Sequence, residues 1–294
     1  NVSDVNNEYG LSMLIEVDIV CSGTPVNKVM YTRLFLRYVA IDNKESFADL
    51  VSIAKDSLNG KEYKVSNADN ARCTYYINVI PTGIDFSLFQ KQNLPAGELE
   101  EIKKELNIKK DDFVFLILGR LAKEKSMDVS IKGISEFKKA HPEVNVKLVI
   151  VGMGPDYKLL KELVDECSLA DCTIFTGAKP AAKVPLYYNI ADVYTSASLT
   201  ETQGLTFMEA MASGAIVLAR FDDNLAGTID DNETGFFFTD EISFVKKAYQ
   251  IYKMSDKEKE QIRNNAYKNI EQYSIETFYE NIMETYKRGV KSYW

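Results

Sequence analysis

Six short runs rich in Val, Ile and Phe follow one another after about Asp111, and segments with helical periodicity separate them. Short apolar runs of this kind are typical of strands buried on both faces, and their alternation with helices is typical of a parallel sheet. The runs are FVFLILGR (113–120), VKLVIVGMG (146–154), CTIFTGA (172–178), ADVYTSAS (191–198), AIVLARF (215–221) and GFFFT (235–239). We therefore predict an α/β fold with a doubly wound parallel sheet in this part of the chain.

Helices are predicted between and after these runs. Between the first two runs, four apolar residues recur at helical spacing, and the pattern ends before Pro142, which stops a helix. The four residues are Met127, Ile131, Ile134 and Phe137. Ser255 and Glu258 have the spacing of a capping box, which predicts the start of a late helix, and residues 273–294 show a second amphipathic pattern.

The patterns before about Ile80 are weaker. Residues 11–20 and 29–41 have the composition of strands, and residues 46–58 have the periodicity of an amphipathic helix. The segment VIPTGID (79–85) contains a proline and a glycine, which predict a turn that enters the larger domain.

These patterns divide the chain into three parts. We predict a short N-terminal α/β region at 1–79 and a Rossmann-like domain at 80–272. The last part, 273–294, is predicted to be a helix that packs back toward the N-terminal region.

The composition is that of an ordinary globular protein. The 294 residues include 46% hydrophobic residues and carry a formal net charge of −8, which argues against a general nucleic-acid binder. No run of about eighteen apolar residues occurs, and the first ten residues lack the basic and apolar regions of a signal peptide. The four cysteines and the single histidine, His141, have no metal-ligand spacing. We expect a cytoplasmic protein without a bound metal ion.

The segment ETQGLTFMEAMASG (201–214) places two carboxylates around a glycine that opens a helix. The amides at the helix start, from Gly204 onward, are predicted to cradle a phosphate, because a helix N-terminus presents unpaired N–H groups and a positive dipole end. Glu201 and Glu209 would then form hydrogen bonds with hydroxyl groups of the ligand on either side of the phosphate. The alternative is a buried helix in which glutamates only stabilise the dipole.

Two positively charged residues lie at the end of the first predicted strand of the larger domain. Arg120 closes this strand, and Lys125 follows in the next loop. Ligands of open α/β sheets bind at the carboxyl ends of the strands, and these two charges suit a diphosphate there. The alternative is that both are solvated loop charges.

Two glycine loops also follow predicted strands. Gly152 and Gly154 lack the third glycine of a dinucleotide motif, since Tyr157 occupies its place, and we interpret them as a tight strand-to-helix turn. Gly177 and Lys179 follow the next strand. Backbone groups in that loop would be able to read a nucleobase, although loop closure alone would also explain the glycine.

Taken in order, these motifs resemble retaining glycosyltransferases of the GT-B fold that carry an E-x7-E motif, the group 1 type. The matching segments, between Asn78 and Phe238, are VIPTGID, LGRLAKEKSMDVSIKG, LVIVGMGP, IFTGAKP, LYYNIADVYTSAS, ETQGLTFMEAMASG and ETGFFF. Within the family, the pair Thr202 and Gln203 makes the motif most similar to that of bacterial diacylglycerol glucosyltransferases.

The resemblance implies that both glutamates bind the donor. Glu209 would bond the nucleotide ribose. Glu201, with the amides of Gly204 and Leu205, would hold the donor sugar and its phosphate, and would count among the catalytic residues.

The resemblance also implies roles for residues of the neighbouring loops. Arg120 and Lys125 would neutralise the departing diphosphate as catalytic residues, and Thr206 would add a phosphate contact. Gly177 and Lys179 would complete the donor-binding set. No cofactor is implied apart from the nucleotide sugar itself.

The implied reaction moves a hexosyl group from a nucleoside-diphosphate sugar, UDP-glucose or UDP-galactose, with retention at the anomeric carbon and without a metal ion. The implied acceptor is diacylglycerol, a glycolipid or another saccharide. A lipid acceptor would bring the enzyme to the inner face of the membrane as a peripheral protein. No nucleic-acid partner is expected.

Residues 1–79 depart from the family pattern. A GT-B enzyme has an N-terminal domain of about the same size as the second, with a glycine-rich loop and a histidine near the sugar, and residues 1–79 carry neither a histidine nor a motif of that domain. We expect the sequence to be part of a longer enzyme rather than one whose N-terminal domain has been replaced. The alternative function is a nucleotide-sugar-binding module, or isolated donor domain, without catalysis.

Overall fold

The computed structural model describes residues 13–21, 28–34, 62–66, 72–199, 203–225 and 227–291. They belong to two compact units. The first unit comprises the described residues up to Gly83 together with those from Tyr273 onward, and the second is Ile84–Gln272.

Ten strands lie in the described part of the chain. They are β1 (Met13–Cys21), β2 (Lys28–Leu34), β3 (Glu62–Ser66), β4 (Arg72–Pro81), β5 (Asp112–Leu118), β6 (Asn145–Val151), β7 (Thr173–Gly177), β8 (Val193–Ser196), β9 (Ile216–Arg220) and β10 (Phe236–Phe238).

Eight α-helices are described. They are α1 (Glu98–Glu105), α2 (Met127–Ala140), α3 (Tyr157–Glu166), α4 (Val184–Ile190), α5 (Leu205–Ser213), α6 (Glu241–Lys253), α7 (Asp256–Ile270) and α8 (Ile275–Lys291). Within the described ranges, none of these helices combines the length and the apolar character that crossing a membrane requires.

The first unit is built on an antiparallel sheet with the strand order β2-β1-β4-β3. Its strands β1 and β2 overlap the predicted strands at 11–20 and 29–41, whereas β3 and β4 were not predicted. Helix α8 packs against β4, and a Cβ atom at Gly83 would lie only 2.5 Å from Cβ of Phe278. The helix predicted at 46–58 lies outside the described residues.

The predicted turn at 79–85 is wrong at its start. Strand β4 continues through Val79 to Pro81, because Val79 is paired with Ile15 and Pro81 with Met13 of β1. β3 pairs only with the Arg72–Tyr76 part of β4, so Pro81 lies where β4 is an edge strand, and proline is tolerated there. The chain leaves the sheet only after Pro81.

The second unit contains a sheet of six parallel strands in the order β10-β9-β8-β5-β6-β7. Its strands correspond to the six apolar runs, so the predicted parallel α/β sheet is confirmed. Successive connections run outward from β5 first to β6 and β7, and then to β8, β9 and β10 on the other side. This is the doubly wound order, in which the sheet is covered by helices on both faces.

Aromatic rings join the centre of this sheet to the helices that cover it. Phe115 of β5 is fully buried, and its ring centroid lies 5.5 Å from that of Phe137 on α2 and 6.2 Å from that of Phe244 on α6. Gly133 permits this packing, since a Cβ atom there would lie 2.6 Å from Cγ of Phe244. The four residues predicted at helical spacing are all buried on α2, as expected for its core-facing side.

The predicted capping box at the start of α7 is confirmed. The amide of Glu258 donates to Oγ of Ser255, and the amide of Ser255 donates to a carboxylate oxygen of Glu258 at 2.8 Å. Asp240 and Ser243 form a second capping box at the start of α6, which was not predicted. The helix predicted after Tyr273 is present as α8.

The strand order determines where a ligand site is expected in the second unit. Strands β5 and β8 are neighbours in the sheet. The connection that follows β5 leads to β6 on one side, whereas the connection that follows β8 leads to β9 on the other side. A crevice forms at the carboxyl ends of such a pair, because the two following loops leave toward opposite faces of the sheet. In this unit the crevice lies beyond Leu118 and Ser196.

Candidate active site

A small cavity of about 30 Å³ lies at the carboxyl ends of β5 and β8. Its polar lining includes the hydroxyl residues Ser130, Thr195 and Thr206, together with Lys125. The side chains of Ser130 and Thr195 are fully buried, with their hydroxyl oxygens 3.5 Å apart. A buried polar floor beside an ammonium group is suited to an anionic ligand.

Helix α5 begins at this crevice. Its N-cap, Gly204, has φ +68°, and the amides of Phe207 and Met208 are the first to donate back to the carbonyl of Gly204. The amides before them have no partner within the helix, which is a general property of helix starts. Because Thr206 lines the cavity, the amino end of the helix and its dipole lie beside that cavity.

Gly204 is also required by packing. A Cβ atom at this position would lie 2.9 Å from Cδ2 of Leu225 and 3.2 Å from Cδ2 of Phe207, and the backbone has a conformation that side chains rarely adopt. The predicted glycine-opened helix is therefore present, and the glycine is needed for the turn itself.

Glu209 lies one turn further along α5 and is partly buried. The hydroxyl of Tyr188 donates a 2.9 Å hydrogen bond to its Oε2 atom. Burial raises the pKa of Glu209, and this hydrogen bond opposes the increase because it stabilises the ionised form. Sequence reasoning did not identify Tyr188, although the segment LYYNIADVY, which contains it, matched the family.

The two predicted cations occupy different environments. Lys125 is partly buried and lines the cavity. The side chain of Arg120 is 70% exposed, and its Nη1 atom lies 4.0 Å from a carboxylate oxygen of Glu124. Such an exposed pair contributes little to stability. Arg120 is not among the described residues that line the cavity, so in this structure only Lys125 lies with Thr206.

Backbone hydrogen bonds join the strand-end loops that carry these residues. The amide of Gly119 donates to the carbonyl of Val151 at 3.0 Å, and the amide of Gly152 donates to the carbonyl of Gly177 at 3.0 Å. A Cβ atom at Gly152 would lie 1.8 Å from the carbonyl oxygen of Gly119, and one at Gly154 would lie 2.1 Å from that of Leu121. These two glycines therefore allow loops to approach one another, which agrees with their interpretation as a tight turn.

Gly177 and Lys179 lie away from the crevice. Gly177 ends β7 with φ +73°, and β7 is separated from β5 by one strand, which corresponds to about 10 Å. The ammonium group of Lys179 lies 5.6 Å from the centroid of the buried Tyr187 ring. This cation–π contact places Lys179 above α4.

The first glutamate of the motif, Glu201, lies outside the described residues, as do its neighbours Thr200 and Thr202. Its predicted contacts are therefore not tested. In the described ranges, no group of three or more His, Cys, Asp or Glu side chains is arranged to hold a metal ion.

A much larger groove, of about 1210 Å³, lies at the opposite edge of the sheet. It is lined at the amino ends of the strands by Asp112, Asp192 and Gly214, and by cationic residues that include Lys103 and Arg263. Size does not decide the assignment, because ligands of doubly wound sheets bind beyond the carboxyl ends of the strands. The hydroxyl groups, the ammonium group and the helix start are also found at the carboxyl edge.

Sequence comparison identifies the family. Residues 98–269, more than half of the chain, match the family Glycosyl transferases group 1. The alpha-monoglucosyldiacylglycerol synthase of Acholeplasma laidlawii is 36% identical over 173 residues, which cover 59% of this chain and 43% of that protein. The corresponding synthase of Streptococcus pneumoniae (strain ATCC BAA-255 / R6) is 36% identical over 160 residues, covering 54% of this chain and 36% of that protein. The chain thus spans less than half the length of either relative.

Solved structures share the fold. The C-terminal domain of a group 1 family glycosyl transferase (LpcC) from Francisella tularensis matches with a TM-score of 0.55 at 26% identity, covering 66% of this chain and 100% of that one. The Anabaena protein HepE, solved in complex with UDP and glucose, matches with a TM-score of 0.62 at 18% identity, covering 71% of this chain and 56% of that one. The second likeness shows the fold alone. By family match and by fold, the chain belongs to the group 1 glycosyl transferases, and the predicted resemblance to diacylglycerol glucosyltransferases is confirmed at the level of sequence similarity.

Proposed function

We propose that this chain carries the donor-binding part of a retaining glycosyltransferase that moves a hexosyl group from UDP-glucose or UDP-galactose to diacylglycerol or a glycolipid. The observation that supports this most strongly is the meeting of Lys125, Thr206 and the amino end of α5 at one crevice. The names of the two relatives, both alpha-monoglucosyldiacylglycerol synthases, support the choice of glucose and of a lipid acceptor.

The crevice would stabilise the departing diphosphate. As the glycosidic bond breaks, the sugar develops oxocarbenium character and negative charge grows on the phosphate oxygens. The amides of Gly204 and Leu205, the hydroxyl of Thr206 and the ammonium group of Lys125 are donors that are already in place for this charge. Arg120, which is exposed at the same strand end, would add a second positive charge once the donor is bound.

The nucleoside would lie along the carboxyl edge of the sheet. Glu209 would accept hydrogen bonds from the ribose hydroxyls, because a partly buried carboxylate is a strong acceptor. The base would extend toward Gly177 and Lys179 at the end of β7, both of which are only partly buried. Glu201 would hold the donor sugar, as the resemblance to the family implies.

No described residue is assigned as a general base. We propose that the leaving phosphate itself accepts the proton of the acceptor hydroxyl, which allows attack on the face that the phosphate leaves and so retains the anomeric configuration. The charge of the diphosphate would be neutralised by the protein donors, without a metal ion. The acceptor would bind outside the described site, and a lipid acceptor would place the enzyme at the inner face of the membrane.

Turnover and product analysis test this proposal. The 294-residue chain, and any longer gene product that contains it, should be incubated with UDP-glucose and diacylglycerol vesicles in the presence of EDTA. We expect the protein that carries the acceptor site to release UDP and to form an α-linked glucolipid, which proton NMR identifies from the anomeric coupling constant. A β-linked product, or activity that EDTA removes, contradicts the retaining, metal-independent mechanism.

A second candidate is a nucleotide-sugar-binding module without catalysis. It is motivated by the assignments of site residues, because every residue that we assign would contact the donor and none would contact an acceptor. This candidate predicts UDP-glucose binding by calorimetry without any UDP release. Turnover by the 294-residue chain alone would exclude it.

A further inference from the structure

The contact between Tyr188 and Glu209 joins α4 to α5, the helix whose amino end lies beside the cavity. Tyr188 belongs to α4 and is fully buried, and its hydroxyl donates to Oε2 of Glu209 on α5 at 2.9 Å. A glutamate has three rotatable side-chain bonds, so its carboxylate plane is not determined by the helix alone. The hydrogen bond from the hydroxyl of Tyr188 restricts the orientation of this carboxylate plane.

The ring of Tyr188 is itself held by aromatic neighbours. It packs edge to face against Tyr194 of β8, with centroids 5.5 Å apart, and against Phe89, with centroids 6.1 Å apart. Tyr194 in turn packs against Phe207 of α5, at 5.6 Å. The hydroxyl is therefore positioned by the sheet and by the same helix that carries Glu209, and buried rings of this kind change rotamer with difficulty.

The hydrogen bond uses only part of the capacity of the Glu209 carboxylate to accept hydrogen bonds. An ionised carboxylate has about four lone-pair positions, and Tyr188 occupies one of them on Oε2. Two neighbouring ribose hydroxyls fit the remaining positions only when the carboxylate plane has a defined orientation. A donor on one oxygen also stabilises the acceptor form of this partly buried group.

We infer that Tyr188 is a positioning residue for nucleotide recognition, which holds the carboxylate of Glu209 in the orientation that accepts the ribose hydroxyls of the donor. The inference rests on the proposed function, because it requires that the ligand is a ribonucleotide. It goes beyond the role of Glu209 alone, since it assigns ribose selectivity to a pair of residues on two helices.

Calorimetry with two nucleotides tests the inference. UDP and 2′,3′-dideoxy-UDP, which lacks both ribose hydroxyls, should be titrated into the wild-type chain, Tyr188→Phe, Glu209→Ala and the double variant. We expect Tyr188→Phe to weaken UDP by about tenfold, the order expected for a hydrogen bond to a charged group, while the dideoxy nucleotide changes by less than about twofold. In the Glu209→Ala background, Tyr188→Phe should cause no further loss of UDP affinity.

A control variant measures the effect of removing a tyrosine hydroxyl that does not bond to Glu209. Tyr267→Phe removes a hydroxyl that accepts from the side-chain amide of Gln90, and Tyr267 lines the groove at the amino edge of the sheet. It should leave the ratio of the two affinities unchanged. If Tyr188→Phe proves unfolded by circular dichroism, 3-fluorotyrosine at position 188 replaces it, and this stronger donor should change the affinity for UDP more than that for the dideoxy nucleotide.

The outcomes separate the inference from the proposed function. Equal weakening of both nucleotides by Tyr188→Phe, or a further loss in the Glu209→Ala background, would mean that Tyr188 only supports the fold, and would overturn the inference alone. Failure of the wild-type chain to bind UDP, or an unchanged UDP affinity in Glu209→Ala, would overturn the proposed function and the inference with it.

Discussion

Lys125 and Thr206 line the same cavity, although one precedes α2 and the other lies in the first turn of α5. They meet because β5 and β8, which precede these segments in the chain, are neighbours in the sheet. An ammonium group, a hydroxyl and the amino end of a helix thereby face one small volume. This arrangement is the basis of the assignment of a phosphate site.

Replacement of Lys125 by methionine tests that assignment. We expect Lys125→Met to weaken UDP by about 10- to 100-fold, because a hydrogen bond to a charged group contributes about 1.5–3 kcal/mol. Uridine, which has no phosphate, should bind equally well to both proteins. Lys123→Met is the matched control, since Lys123 lies in the same turn, is exposed and is not among the described residues of the cavity. Equal effects of the two variants would contradict the phosphate site.

The acidity of Glu209 predicts a pH dependence of nucleotide binding. Burial raises the pKa of this carboxyl above its usual range, so it takes up a proton at a higher pH than an exposed glutamate does. UDP affinity should therefore fall as the pH is lowered through this raised pKa, because a protonated carboxyl is a poorer acceptor for ribose hydroxyls. The pH profile of UDP affinity, measured by calorimetry, should be compared between the wild type and Glu209→Gln. The UDP phosphate titrates in both experiments, whereas the carboxylate at position 209 titrates only in the wild type. Parallel pH profiles for the two proteins would rule out this role.

Asp192 should tolerate asparagine but not alanine. Its Oδ2 atom accepts a 2.9 Å hydrogen bond from the buried amide of Val114, which joins the amino ends of β5 and β8. An asparagine oxygen can replace this acceptor, whereas Asp192→Ala leaves the amide without a partner, which costs about 1–3 kcal/mol. Urea unfolding at neutral pH measures both variants. An equally large loss for asparagine and alanine would mean that the charge, rather than the acceptor, stabilises the fold.

The pKa of Asp192 determines how that comparison changes with pH. Burial raises the pKa of Asp192, and the hydrogen bond from the amide of Val114, followed by the cations Lys259, Arg263 and Lys103, only partly opposes this increase. A raised pKa in the folded state means that the wild type loses stability as the pH rises through that pKa. The free energy of unfolding of Asp192→Asn should therefore improve relative to the wild type over this pH range.

Gly152→Ala should destabilise the second unit severely. The added Cβ would lie 1.8 Å from a backbone oxygen of Gly119, and φ is +145°. Overpacking and backbone strain together predict a loss of about 3 kcal/mol or more. Gly97→Ala is the matched control, because φ is +86° there but a Cβ would meet nothing within 4 Å. It should lose only about 1–2 kcal/mol, from strain alone, and thermal unfolding measures the difference.

Local sequence patterns predicted most of the second unit. The six strands and the helices α2 and α7 could be recognised from local patterns, apolar runs for buried strands and helical spacing or a cap for helices, whereas α6 was not named. The capping box at Ser255 was recognised for the same reason, since it depends on residues only three positions apart. In the first unit, β3 and β4 were missed, because the pairing of β4 with β1 and β3 is not local.

The candidate site was predicted in part. The glycine that opens α5 and the cation that lines the crevice were identified from their positions after predicted strands. Tyr188 was missed because nothing in a buried tyrosine at helical spacing indicates that its hydroxyl reaches a carboxylate on another helix. The exposure of the Arg120 side chain and its ion pair with Glu124 were not predicted either, because both depend on the three-dimensional course of the loop.

Fold class, family and the segments that carry the site could be recognised without the structure, because they depend on the order of local patterns along the chain. Which of these segments meet is evident only from the folded molecule. The neighbouring positions of β5 and β8 place Lys125 with Thr206, and aromatic packing places Tyr188 against Glu209. Strand order and side-chain packing depend on burial and hydrogen bonding over the whole sheet, whereas propensities and caps act within a few residues.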